Sequence, residues 1–235
     1  MRQIVLDTET TGLSPETGDR IVEIGCLEID DRRITQRHLH HYVNPERPNN
    51  PEAVKVHGLT DEFLADKPKF ATVVDELIEL VRGAEVIIHN APFDIGFLDA
   101  EFARLGRGKF ADHAARITDS LAMARNIYPG KANSLDALCR RLEVDNTGRT
   151  LHGALLDAQL LAEVYLRMTR GQGELVIDQY GDHGDGLGGP QRVDYSRFRF
   201  TPVTVTDDEV AAHEAMLKGI DKESGGKTIW RRYLQ

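Results

Sequence analysis

Four acids in this sequence stand where a carboxylate is costly. Asp7 and Glu9 follow the apolar run Ile4-Val5-Leu6 and precede the turn Thr10-Thr11-Gly12. Ile4-Val5-Leu6 reads as a strand buried on both faces, and residues two apart on a strand share a face, roughly 6–7 Å from each other. Like charges so placed repel unless a cation lies between them, and oxygen-only ligands suit Mg²⁺ or Mn²⁺ better than zinc. On this stretch alone a second reading is equally good, in which both acids cap the strand in a solvated turn. Asp94 follows a second apolar run, Val86-Ile87-Ile88, in a helix opened by Pro92, and it shares a face with Phe97, Leu98 and Leu105. The plain alternative is a first-turn acid that complements the helix dipole. Asp157 is harder to explain, because it occupies an apolar slot in the stripe Ala154, Leu161, Val164 and Met168. Burial of a lone carboxylate costs several kcal/mol unless it is paired or metal-bound. His152 lies five residues earlier. On one continuous helix that offset would splay the two side chains by about 140°, so His152 is expected in the loop or first turn, aimed at the site from outside.

Four convergent acids could hold two divalent cations about 3.5–4 Å apart, the arrangement that supports in-line attack of water on a phosphodiester. A histidine could take the proton of that water. No Ser-His-Asp or cysteine-nucleophile pattern competes. Gly226-Lys227-Thr228 ends like a phosphate-binding loop, but Asp221 stands where the earlier glycine is required and no strand precedes it.

The elements that must position these residues follow from hydrophobic period and turn residues. Ile21–Asp30 and 34–43 read as strands joined by a tight turn at Asp31-Arg32-Arg33, an antiparallel meander with the first strand. His38, His40 and His41 fall on the third strand and are expected on an exposed face. A Pro/Asn-rich loop covers 44–51, and Thr60 caps a short helix. Val73, Val74, Leu77, Leu80 and Val81 define an amphipathic helix over 71–82 that stops at Gly83. A strand end at 116–120, a short helix to Tyr128, a helix capped by Ser134 and the helix bearing Asp157 complete residues 1–170.

The composition then shifts. Seven glycines fall within 171–190, which reads as a flexible linker over 171–200. In 201–235, Thr206 to Glu209 forms a capping box for one helix to about Lys218. This stretch cannot build its own core, so Ile229, Trp230, Tyr233 and Leu234 are expected to order on a partner.

Of 235 residues, 40% are hydrophobic and 29% charged, and the net charge is −9. A protein that grips nucleic acid unaided is usually basic, so the balance argues against a stand-alone DNA-binding module and fits an enzyme delivered by a partner. No apolar run approaches a membrane span. Cys26 and Cys139, with no Cys-x-x-Cys pair, read as buried thiols of a reducing compartment, and a cytoplasmic location is expected.

Asp7-Thr8-Glu9-Thr10-Thr11-Gly12, His89-Asn90-Ala91-Pro92-Phe93-Asp94 and His152-Gly153-Ala154-Leu155-Leu156-Asp157 together resemble the three exonuclease motifs of the DEDD exonucleases, His-containing branch. Residues 205–214 and the Gly-Gly-Lys-Thr-Ile-Trp ending are similar to the tail of the proofreading (epsilon) subunits of bacterial DNA polymerase III. The resemblance implies an α/β ribonuclease-H-like fold, a mixed sheet flanked by helices, with a flexible C-terminal tail carrying one short helix. It implies 3′→5′ release of deoxynucleoside monophosphates with two Mg²⁺ or Mn²⁺ ions. One ion would be held by Asp7, Glu9 and Asp157, the other engaged by Asp7 and Asp94, with His152 as general base. Asp7, Glu9, Leu13, His57, Phe93 and His152 match positions around the terminal nucleotide. The tail would bind the polymerase (alpha) subunit, and Gln172 to Ile177 sits where the family carries a sliding-clamp motif.

Overall fold

The computed structural model describes residues 2–148, 151–170 and 205–225. The chain divides into two compact units, Met1–Gln179 and Tyr180–Gln235. The expected linker and the segment around Trp230 lie outside the described residues.

The first unit is built on one five-stranded sheet. Its strands are β1 (Arg2–Thr10), β2 (Ile21–Asp30), β3 (Arg33–Tyr42), β4 (Glu85–Ile88) and β5 (Arg116–Asp119), in the order β3-β2-β1-β4-β5. β1, β2 and β3 pair antiparallel, β2 and β3 across a tight turn at Asp31 and Arg32, whereas β4 and β5 join parallel to β1 and to each other. The result is a mixed sheet.

Helices cover both faces. α3 (Phe70–Val81) and α4 (Ala91–Arg104) pack Val74, Leu77, Phe97 and Leu98 against Ile4 and Leu6. α7 (Ala154–Met168) packs Ala158, Leu161 and Tyr165 against Val5, Leu27 and Ile87 on the other face. α5 (Ser120–Ile127) and α6 (Leu135–Leu142) lie behind α7 around Leu138, Leu160 and Val164. Each fully buried leucine or valine here contributes roughly 1.5–3 kcal/mol. Because residues alternate along β1, the face reached by Val5 is also the face of Asp7 and Glu9, while Thr8 points with Ile4 and Leu6 toward α4.

Two elements differ from expectation. The chain after the Pro/Asn-rich loop folds as a helix, α1 (Pro51–His57). Asn50 caps it by accepting from the Glu52 N–H at 3.0 Å, Pro51 occupies the first position, and Gly58 ends it at φ 76°. α2 (Asp61–Leu64) follows, capped by Thr60 as expected. In the second unit the capping box at Thr206 and Glu209 is present, but α8 runs from Asp207 to Ser224 rather than stopping near Lys218, and Gly225 ends it at φ 63°. An interior glycine such as Gly219 costs a helix only about 1 kcal/mol, too little to stop it.

Candidate active site

Asp7, Glu9 and Asp157 form one cluster, each offering a carboxylate oxygen within 4.8 Å of the others. Cross-strand pairing explains how. Asp7 stands opposite Gly25 and Glu9 opposite Glu23, so all four share the α7 face. Gly25 has no side chain, and the first turn of α7 lies directly on it. A Cβ there would stand 2.2 Å from the Ala154 carbonyl carbon and the Leu155 nitrogen. The close approach brings Asp157, one turn further along, to Asp7. Asp157 is itself buried, at 3% exposure. Three oxygen donors so close are the chemistry of a hard divalent cation, and the residues present fit such an ion.

Asp94 does not join that cluster. It comes from the α4 face, is buried, and its Oδ1 accepts from the Thr8 N–H at 3.0 Å and the Thr8 hydroxyl at 2.7 Å. Burial pushes its carboxyl up, the two Thr8 hydrogen bonds and its own backbone N–H pull it down, and the Asp119 charge pushes it up again, to about 7 in all. A divalent cation beside it would reverse that rise. The expectation of four acids converging on one point is therefore met by three, with the fourth reaching the same strand from its other side.

His152 lies in the loop before α7, exposed, as its offset from Asp157 requires. Its N–H donates to the Val56 carbonyl at 3.1 Å, which ties that loop to α1. His57, also on α1, is buried. Its Nδ1 accepts from the Leu59 N–H at 3.0 Å, so Nε2 carries the proton, and that buried donor has no hydrogen-bond partner among the described residues. Burial holds the His57 imidazole below its ordinary pKa, the Thr10 backbone pulls it the other way, and His152 close by pushes it down again.

A cavity of about 370 Å³ opens beside the acids. Glu9, Leu13, His57 and Phe93 line it, as does α1 through Glu52 and Val56. Leu13 is 86% exposed on its rim, and the Phe93 ring stacks at a tilt on Phe97 with centroids 5.0 Å apart. An apolar slot with a buried imidazole beside clustered carboxylate oxygens suits a nucleoside.

Several participants escape a reading by residue type. Glu23, 3% exposed, pairs with His40 at 2.7 Å. His40 is thus not a polar residue on an exposed face. It stands opposite Gly25 and turns inward to an acid on the neighbouring strand. Gly25 did leave a signal, since a glycine inside a strand marks close backbone approach. Glu52 and Val56 left none, because the expected loop ends at Pro51 and no helix is expected between it and Gly58.

The residues 4–165 match the family model described as "Exonuclease". A relative in Escherichia coli (strain K12), "DNA polymerase III subunit epsilon", is 51% identical over 237 residues, covering 98% of this chain and 97% of its own. One of the same description in Haemophilus influenzae is 47% identical, covering 97% and 94%. Among solved structures, "Exonuclease X in complex with 5′ overhanging duplex DNA" is 28% identical at TM-score 0.59, covering 74% of this chain and 94% of that one. An exonuclease I structure, at 18% identity and TM-score 0.65, shares the fold over 73% of this chain. The chain belongs to the exonuclease family of ribonuclease-H-like fold and, within it, to the DNA polymerase III epsilon subunits, proofreading 3′→5′ exonucleases. Such enzymes depend on divalent metal. No helix among the described residues is long and apolar enough to cross a membrane.

Proposed function

We propose that the acids of this chain carry the exonuclease reaction in the manner of the His-containing branch. The observation that supports this most is the Asp7, Glu9 and Asp157 cluster beside an apolar cavity. Asp7, Glu9 and Asp157 would hold one Mg²⁺ or Mn²⁺, and Asp7 with Asp94 would engage a second. When bound, such ions would lower the pKa of the attacking water and stabilise the leaving oxygen. The chain supplies the rest. Leu13 and Phe93 grip the terminal base, Phe93 offering a stacking face. The His57 Nε2–H donates to a substrate oxygen. The His152 imidazole, at the exposed lip, accepts the proton of the attacking water at a ring nitrogen. Thr8 keeps Asp94 in place through two hydrogen bonds.

Residues 1–170 form the exonuclease domain, 171–200 a linker with the clamp contact at Gln172 to Ile177, and 201–235 the segment that binds the polymerase subunit. The net charge of −9 supports delivery by that partner over independent capture of DNA. A 3′-mismatched primer–template with Mg²⁺ or Mn²⁺ tests the catalytic assignment. Wild type removes the 3′ nucleotide and Asp7→Ala does not; equal activity in the two would remove Asp7 from the mechanism. Truncation to 1–170 keeps catalysis and loses co-purification with the polymerase subunit, and equal recovery of both chains would remove the tail from that role.

A further inference from the structure

A second cavity, about 670 Å³, opens at the C-terminal ends of β4 and β5. Crevices at the carboxyl ends of parallel strands are where α/β sheets take their ligands. Asn90, Arg125, Lys131 and Ser134 line this one. It adjoins the acids through the first turn of α4. Asn90 caps that helix and faces this cavity, Phe93 faces the cavity beside the metal ligands, and Asp94 follows directly. Asp119 fixes the junction, its Oδ1 accepting from the Asn90 N–H at 3.1 Å and the Leu121 N–H at 2.9 Å.

The charge of this cavity runs against that of the chain. Arg2, Arg20, Arg47, Arg107 and Arg116 are each tied to a carboxylate. Arg125 and Lys131 are exposed and form no ion pair or side-chain hydrogen bond among the described residues. α6 also opens here, through its cap Ser134 and first residue Leu135, so the positive end of its dipole faces the same space. A neutral ligand would use none of these features, whereas an anion would use all of them.

We propose that this cavity holds internucleotide phosphates of the substrate strand on the 5′ side of the scissile bond, with Arg125 and Lys131 as the cationic contacts. The proposal rests on the exonuclease reading. The first turn of α4 separates the two cavities, so a strand that leaves the first cavity over that turn enters this cleft. A groove that tracks the backbone with cations is how single strands are held without reading sequence.

The full chain tests this on two substrates, with Arg125→Ala/Lys131→Ala against wild type. One is a single-stranded oligonucleotide of roughly ten nucleotides; the other is the p-nitrophenyl ester of thymidine 5′-monophosphate, which has no upstream phosphate. On the oligonucleotide, kcat/KM should fall about ten-fold, chiefly through KM, and its logarithmic salt dependence should flatten by about 1.4, the single-strand value for two phosphates. The loss on the ester should be far smaller. Arg140→Ala, an exposed cation of α6 outside the cleft, should track wild type on both. Equal losses on the two substrates, no loss on the oligonucleotide, or the same loss in Arg140→Ala would each overturn the proposal. Wild type inactive on both would instead fail the exonuclease reading beneath it.

Discussion

The two ends of the sheet treat buried acids in opposite ways. At the end away from the cavity, Glu85 is buried and accepts from Gln3 at 2.8 Å, from Thr118 at 2.5 Å and from the Arg116 guanidinium. Burial alone would push its carboxyl up, but these bonds and the Arg116 charge more than offset it, and Glu85 stays below the usual carboxylate range. At the catalytic end, Asp94 is equally buried, accepts from Thr8 and from its own backbone N–H, and faces the Asp119 charge rather than a guanidinium. Its carboxyl is driven up to about 7. One end completes its electrostatics within the chain. The other leaves a buried carboxyl raised, which supports the proposal that its acids work with a cation from outside.

The comparison breaks if acids at the two ends respond alike. The largest effect is expected at the cluster, where Asp157→Ala should lower exonuclease turnover about a thousand-fold or more while thermal unfolding shows a fold at least as stable. A melting temperature that collapses along with activity would make Asp157 structural. Gly25→Ala should act on both counts, because its Cβ meets the α7 backbone. A loss of about 2 kcal/mol in denaturant unfolding and about a hundred-fold in turnover is expected as Asp157 moves away from Asp7. Unchanged turnover would mean that the close approach does not position the site. Glu85→Ala should do the reverse, costing about 2–3 kcal/mol of stability by stranding Gln3, Thr118 and Arg116, with turnover of the folded fraction kept. Loss of turnover without loss of stability there would erase the distinction between the two ends.

pH gives the smallest and sharpest contrast. With Asp94 titrating near 7 when folded and near its ordinary value when unfolded, the metal-stripped native state binds one proton more than the unfolded state between about 4 and 7. Stability of chelator-treated protein should therefore decline as pH rises through that window, and Asp94→Asn should flatten the decline. A profile that rises over the same range in wild type would contradict the assignment.

Much of this was legible in the sequence, for identifiable reasons. Asp157 declares itself because a carboxylate in an apolar stripe violates burial rules locally, whereas Asp7 and Glu9 read equally well as a solvated turn and gain weight only from the acids further along the chain. The three antiparallel strands are equally local, joined by a turn at Asp31 and Arg32 with both residues at positive φ. What stayed hidden depends on pairing between distant segments. The face of β1 reached by Asp94 is set by how α4 packs, not by its own spacing. The Glu23–His40 pair exists only once β2 and β3 are in register. α1 was obscured by prolines and asparagines that serve it as cap and first turn.

The central claim is that the cluster is built for divalent metal, and calorimetric titration of Mn²⁺ into chelator-treated protein tests it most directly, with Asp157→Asn alongside. Saturable binding to wild type, lost or weakened at least ten-fold in the variant, is the predicted result. Identical isotherms, or no binding by a wild-type protein that still removes 3′ nucleotides, would contradict it.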